Sequence, residues 1–135
     1  MSKSDPSDLS RINMTDEKDQ IINKIKKAKT DPLPMPLSVH ELDKRPEAKN
    51  LIGIYSSITG TNLENSINQF SGKNFSEFKD NLSQVLVDKM IPISTEIKKL
   101  LQDKKYLDKI LSDGAEKAGN IASQKIKKIH EIVGF

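Results

Sequence analysis

One long apolar repeat constrains the fold of this chain more than any other feature. Between Phe75 and Leu101 apolar residues recur in steps of three and four, for about seven helical turns. The members of the repeat are Phe75, Phe78, Leu82, Val85, Leu86, Ile93, Ile97, Leu100 and Leu101. This spacing predicts a single amphipathic helix, which Pro92 kinks rather than divides. The rest of the chain is expected to pack around that helix.

Shorter repeats of the same kind predict the remaining helices. One helix is expected from an N-cap at Thr15 to about Lys29, and a second after Pro46 as far as Gly60. Further helices are predicted from a cap at Thr61 or Asn62 until Gly72 ends the helix, and from about residue 104 to residue 133. No segment alternates as a strand does, so no nucleotide-binding sheet is predicted. The fold class is therefore all-α, a bundle of about five helices.

Composition shifts predict three parts. Residues 1–15 are polar and are predicted to form a mobile loop. Residues 16–46 combine the first helix with a connector expected to be extended, because its prolines lack amide donors and disfavour helix before them. Residues 47–135 hold the remaining helices and are predicted to form one helical domain.

Composition excludes several kinds of site. The 135 residues contain no cysteine, which rules out disulfides and thiolate metal sites, and the two histidines, His40 and His130, are too far apart to suggest a metal pair. No apolar run approaches the roughly 20 residues of a membrane span, so a cytoplasmic protein is expected. A formal charge of +3 from 22 basic and 19 acidic residues is too balanced to identify a nucleic-acid binder.

The N-terminal tetrapeptide Met1-Ser2-Lys3-Ser4 is the one short motif with a clear chemical use. A lysine between two serines offers an ammonium and hydroxyl donors to phosphate oxygens. Such a group suits displacement at the α-phosphate of ATP, where negative charge builds on the leaving pyrophosphate. Alone, a tripeptide of this kind is typical of ordinary solvated loops.

Further short matches place the motif in a known context. Met1 to Ser4 fit the lysine-methionine-serine-lysine-serine (KMSKS) loop of class I aminoacyl-tRNA synthetases, without its first lysine. Over essentially the whole chain the sequence resembles the bacterial tryptophanyl-tRNA synthetase family. The matching segments are Asp5-Pro6-Ser7, Lys29-Thr30-Asp31, Asn50-Leu51-Ile52, Ile54-Tyr55-Ser56, Thr59-Gly60, Gly72-Lys73, Phe78-Lys79, Gly114-Ala115-Glu116-Lys117-Ala118 and Ala122-Ser123.

The resemblance implies a function in two parts. The parent enzyme would activate L-tryptophan with ATP and Mg²⁺ and transfer it to tryptophan tRNA, as a homodimer with no DNA or membrane partner. Met1, Ser2, Lys3 and Ser4 carry over as ATP-contacting positions, with Lys3 as the catalytic cation. Residues 47–135 carry over as the anticodon-binding domain. We expect the chain to be a C-terminal fragment that begins inside the loop, lacks the Rossmann catalytic domain and is inactive alone.

A lysine-rich segment gives partial support to tRNA binding. Between Ile97 and His130 there are nine lysines and four acidic residues, an excess that attracts phosphates. The candidate contacts are Lys98, Lys99, Lys104, Lys105, Lys125, Lys127 and Lys128. The alternative is that these lysines are only the solvated faces of amphipathic helices. A stand-alone RNA-binding or protein-interaction module without catalysis therefore remains the competing interpretation.

Two smaller expectations concern aromatic and small side chains. Phe70, Phe75 and Phe78 fit core positions, which leaves Tyr55 and Tyr106 as candidates for stacking on bases. The small residues Ala115, Ala118 and Ala122 predict close helix packing. Glu116 and Lys117 would then lie on the exposed side of that stripe.

Overall fold

The structure, a computed structural model, describes residues 5–134. This part of the chain contains five α-helices, two short 3-10 helices and no strand. The α-helices are α1 (Lys18–Lys27), α2 (Pro46–Thr59), α3 (Leu63–Phe70), α4 (Phe75–Gln102) and α5 (Lys104–Val133). The 3-10 helices are Asp8–Ser10 and Val39–Lys44. The predicted all-α fold class is confirmed.

The chain divides into two compact units within α4, one running up to Thr95 and the other from Glu96 onward. The predicted boundaries after residues 15 and 46 both fall inside the first unit. The predicted domain of residues 47–135 stays a prediction.

The first unit is built around an apolar core. The ring centroids of Phe70 and Phe78 lie 4.9 Å apart with an interplanar angle of 78°, and Tyr55 meets Phe70 edge-on at 4.9 Å. Such edge-to-face pairs add to the stabilisation that burial itself provides. The other buried apolar side chains are Ile21, Ile25, Met35, Leu42, Ala48, Leu51, Ile52, Ile67, Leu82, Leu86 and Val87. The core placement predicted for Phe70 and Phe78 is confirmed, and Phe75 packs partly buried against the same cluster.

Helix ends in this unit follow local signals in the sequence. Gly60 closes α2 with φ 72°, a left-handed conformation that glycine adopts without the strain of a side chain. The side chain of Asn62 then caps α3 by accepting from the Asn65 amide at 2.7 Å. Both ends lie where the sequence predicted them.

The start of α1 was predicted wrongly. The helix begins at Lys18 rather than after a Thr15 cap, and the Glu17 amide donates to Gln20 Oε1 at 2.8 Å. The chain turns first, because the Asp16 amide donates to the Asn13 carbonyl at 3.1 Å and the Asp16 carboxylate binds other partners. The helix can therefore start only after this turn.

The connector and the N-terminal segment are more structured than predicted. A 3-10 helix occupies Val39–Lys44, beyond the last of the closely spaced prolines, and its Leu42 is fully buried. Burial of this leucine explains why the connector is not extended throughout. A 3-10 turn at Asp8–Ser10 likewise replaces part of the predicted mobile loop.

The second unit contains no buried side chain among its described residues 96–134. Asp103 separates α4 from α5 and caps α5 by accepting from the Tyr106 amide at 3.0 Å. The prediction that Ala115, Ala118 and Ala122 mark close helix packing is wrong within this unit, because all three are exposed. Their spacing follows the apolar face of α5, but no other part of the unit covers that face.

Candidate functional site

The four residues predicted to contact ATP, Met1 to Ser4, lie outside the described residues. Asp5 is the first residue that the structure describes, and it directly follows Ser4 in the sequence. The contacts of Asp5 are therefore the described contacts that lie nearest in sequence to the predicted ATP loop.

Asp5 is tied into the fold by hydrogen bonds at both its side chain and its backbone. Asp5 Oδ1 accepts from the Ser7 amide at 2.7 Å. The Asp5 carbonyl accepts from the Arg11 guanidinium at 2.9 Å. Ser7 in turn caps the 3-10 helix, because its hydroxyl accepts from the Leu9 amide at 3.3 Å. The segment after the predicted loop is thus fixed by specific contacts.

A buried ammonium group links this segment to α1. Lys24 Nζ lies 2.7 Å from Asp8 Oδ2 and 2.7 Å from Asp16 Oδ2. The side chains of Lys24 and Asp16 are 4% and 6% exposed, whereas Asp8 is 58% exposed. Asn13 completes the arrangement, since its side-chain amide donates to Asp8 Oδ1 at 2.9 Å and its backbone amide donates to Asp16 Oδ2 at 2.9 Å. We call Asp8, Asn13, Asp16 and Lys24 the Lys24 cluster.

The electrostatics of the Lys24 cluster favour its charged form. Burial alone would lower the pKa of the Lys24 ammonium, but hydrogen bonds to Asp16 and Asp8 outweigh burial and raise that pKa. The hydrogen bond from Lys24 lowers the pKa of the Asp8 carboxyl, and Asn13 and Arg11 act in the same direction. Lys24 and Asp8 are therefore both ionised at neutral pH.

Sequence reasoning missed the Lys24 cluster, although a signal was present. Lys24 lies next to Ile25 and three residues after Ile21, on the apolar face of α1. A lysine on a buried face requires an anionic partner, because an unpaired buried charge is strongly destabilising. The sequence alone did not show which of the nearby carboxylates supplied it.

An open cavity of about 290 Å³ lies beside Asp5 in the first unit. Its lining includes Asp5, Ser7, Lys27, Lys29, Glu47 and Asn50. Lys29 pairs with Glu47 at 3.3 Å in the lining of this cavity, so the positive charge of Lys29 is partly neutralised.

Among residues 5–134 no group of three or more carboxylate or imidazole side chains could hold a metal ion.

The seven candidate tRNA-binding lysines all lie in the second unit. Lys98 is partly buried and Lys99 pairs with Glu96 at 3.6 Å, both near the end of α4. The other five are exposed on α5. At about 100° per residue, Lys105 and Lys127 fall within about 40° of each other, whereas Lys125 falls about 160° from both and Lys104 about 100° from Lys105. The structure therefore does not bring these lysines together on one face.

The two tyrosines have different surroundings. Tyr55 is only 6% exposed, and its hydroxyl donates to Gln69 Oε1 at 3.2 Å. Its proposed availability for base stacking was therefore wrong, because its ring belongs to the core. Tyr106 is exposed on α5.

No helix within the described residues combines the length and the apolarity that crossing a bilayer requires.

Known proteins are similar to this chain both at its N-terminal motif and over its whole length. A family model described as tRNA synthetases class I (W and Y) matches residues 1–91, more than half of the 135 residues. The chain belongs to the class I tRNA synthetases. The resemblance given by the short motifs is thereby confirmed.

Relatives of this synthetase chain match it from end to end. Over 135 residues it is 46% identical to the tryptophan-tRNA ligases of Mesorhizobium japonicum and Brucella melitensis, and it covers 38% of each. It is 44% identical to the tryptophan-tRNA ligase of Rickettsia felis, of which it covers 40%. The synthetase chain thus spans about two fifths of the length of these relatives.

Proposed function

We propose that the chain is the C-terminal part of a cytoplasmic tryptophan-tRNA ligase, supplying an ATP-phosphate loop and helices that bind tRNA. The observation that carries this proposal is the match of all 135 residues, at 44–46% identity, to proteins named as tryptophan-tRNA ligases. Because residues 5–134 contain no strand, the sheet that holds the nucleotide would come from residues outside this chain. The chain alone would then be inactive.

Lys3 is proposed as the cation that assists activation of L-tryptophan. A carboxylate oxygen of tryptophan attacks the α-phosphorus of ATP, the bond from that phosphorus to the bridging oxygen breaks, and pyrophosphate leaves. A positioned ammonium stabilises the charge that builds on the departing pyrophosphate. Met1, Ser2 and Ser4 would complete the contacts with ATP. In the complete enzyme Mg²⁺ would bind through the phosphates of ATP.

The tRNA-binding role is proposed for the lysines of the second unit. Their spread around α5 means that one strand of phosphates could contact only some of them. The proposal therefore predicts unequal contributions from the two sides of α5. The complete ligase is proposed to act as a homodimer on tryptophan tRNA.

A chimera tests the proposed ATP loop. The 135 residues would replace the matching segment of the Mesorhizobium japonicum ligase, and tryptophan-dependent exchange of pyrophosphate into ATP would be measured. We expect the chimera to catalyse exchange and Lys3→Ala to slow it by a factor of about 100, the effect of losing one transition-state charge contact. Lys18→Ala, an exposed lysine on α1, is the matched control and should leave the rate unchanged.

Two results would contradict this part of the proposal. A chimera that folds with the relative's helix content but shows no exchange would mean that these residues do not substitute for their counterparts. Equal rates for Lys3→Ala and the parental chimera would remove Lys3 from the reaction.

The competing function is a helical RNA-binding or protein-interaction module without catalysis. Every residue of α5 except the half-buried Leu107 is exposed, and this is the observation that favours it. Filter binding of the isolated chain to tryptophan tRNA and to an unrelated tRNA, at several salt concentrations, separates the two functions. A ligase fragment should prefer tryptophan tRNA, whereas a general basic surface should bind both alike and weaken steeply with salt.

A further inference from the structure

A continuous chain of polar contacts connects the residue after the predicted ATP loop to the core. It begins at the Asp5 carbonyl, which accepts from Arg11 at 2.9 Å. Arg11 Nε lies 3.4 Å from Asp8 Oδ1, and Asp8 Oδ2 lies 2.7 Å from Lys24 Nζ. Lys24 is buried in α1 against Asp16. The side chains of Arg11, Asp8, Lys24 and Asp16 thus link the Asp5 backbone to the core.

From this chain of contacts we propose that Arg11 is a positioning residue for the ATP loop, acting through Asp8 and the buried Lys24. The inference rests on the proposed function, because it assumes that the residues just before Asp5 act on ATP. Arg11 does not itself contact the nucleotide in this proposal. It holds the backbone carbonyl of Asp5, which lies two residues after Lys3 in the sequence.

The exposed fractions of these side chains distinguish a positioning role for Arg11 from a contribution to folding stability. Lys24 is already paired with Asp16, and both side chains are almost fully buried. Asp8 and Arg11 are 58% and 36% exposed, and ion pairs between exposed groups contribute little to folding. The contacts of Arg11 therefore do little for the core but hold the segment that follows the loop.

The reaction depends strongly on such positioning. A lysine side chain has several rotatable bonds, so its ammonium stabilises the leaving pyrophosphate only if its backbone is held in place. A displacement of about 1 Å at a reacting group can cost up to about a hundredfold in rate. Loss of the Arg11 contact should therefore slow the chemical step without altering the affinity for tryptophan.

A double-mutant cycle in the chimera described above tests the inference. We expect Arg11→Ala to lower the kcat of tryptophan-dependent exchange by about tenfold, with the KM for tryptophan unchanged. If Arg11 acts through Lys3, the double variant Arg11→Ala/Lys3→Ala should be no slower than Lys3→Ala alone. Asp8→Asn, which keeps the size of the side chain, should give the same non-additive result.

Lys49→Ala provides the matched control. Lys49 forms a comparable exposed pair with Asp43 at 2.9 Å, and this pair belongs to a different part of the first unit. The control should leave kcat unchanged and should add nothing to Lys3→Ala. Circular dichroism of each variant checks that its helix content is kept.

The outcomes distinguish the inference from the proposed function. If the parental chimera shows no exchange, or Lys3→Ala has no effect, the proposed function fails and the inference fails with it. If Lys3→Ala slows exchange but its effect simply multiplies with that of Arg11→Ala, only the inference is overturned. An equal loss of kcat in Lys49→Ala would also overturn it, by showing a general sensitivity to surface charge.

Discussion

Replacement of Phe78 by alanine tests the packing of the first unit most severely. The Phe78 side chain is fully buried, and its ring lies 4.9 Å from the Phe70 centroid and 6.1 Å from that of Tyr55. Loss of a buried phenylalanine costs about 3–5 kcal/mol, from the lost burial and the cavity left behind. A unit of this size has a free energy of unfolding of about 5–14 kcal/mol. Phe78→Ala should therefore remove about a fifth of the stability or more.

Urea unfolding followed by circular dichroism measures this change, and Ile121→Ala is its matched control. Ile121 lies on α5 and is 66% exposed, so its truncation should change the free energy of unfolding by no more than about 0.5 kcal/mol. A loss below about 1 kcal/mol for Phe78→Ala would refute the described core. An equal loss for the two variants would show that Ile121 is buried in solution.

Two further predictions concern an ion pair and a pair of glycines. The Arg45 guanidinium hydrogen-bonds both carboxylate oxygens of Asp31 at 2.7 and 2.9 Å and lowers the pKa of that carboxyl from its ordinary value of 3.8. The pair therefore stabilises the fold at neutral pH and loses its contribution as the pH falls below about 4. Asp31→Asn should make the free energy of unfolding fall less steeply on the acid side. An unchanged fall would count against the contribution of this ion pair. Gly60→Ala should destabilise the chain by about 1 kcal/mol or more because φ is 72° there, whereas Gly114→Ala inside α5 should stabilise its helix by about 0.5–1 kcal/mol. Thermal melts of both variants that shift in the same direction would contradict this assignment.

The sequence predicted those helices whose ends are set by local residues. α2 ends at Gly60, α3 begins after Asn62, and α4 follows one strong apolar repeat through Pro92. Each of these signals acts within one or two helical turns, so no tertiary contact was needed to predict them.

Most of the features that sequence reasoning missed depend on contacts between different segments. The start of α1 is the exception, because it follows a local turn between Asn13 and Asp16. The connector forms a 3-10 helix around Leu42, which enters a core built by other segments. Tyr55 was misassigned for the same reason, because its neighbours Phe70 and Phe78 come from α3 and α4. A repeat shows that a face is apolar but not what covers it.

In the candidate site, too, local residue patterns could be read from the sequence, whereas contacts between different segments could not. The role proposed for Lys3 rests on residue type and resemblance, whereas its proposed support by Arg11 rests on the fold. Arg11 and Asp8 are only three residues apart, but the fold is needed to bring Lys24 to Asp8. The lysines of the second unit were counted correctly as an excess of charge, but a count does not show on which side of a helix each one lies.

Charging of tryptophan tRNA by the chimera, measured in a single turnover alongside pyrophosphate exchange, tests the central claim that this chain serves both ATP and tRNA. Lys3→Ala should slow exchange and therefore charging as well. Replacement of Lys125, Lys127 and Lys128 by alanine should weaken tRNA binding and slow charging, but should leave exchange unchanged. The same three replacements should lower the salt dependence of tRNA binding, as the slope of log K against log salt concentration, by up to about 2–3. A chimera that performs exchange but never charges tryptophan tRNA, or lysine replacements that alter neither charging nor the salt slope, would contradict the claim.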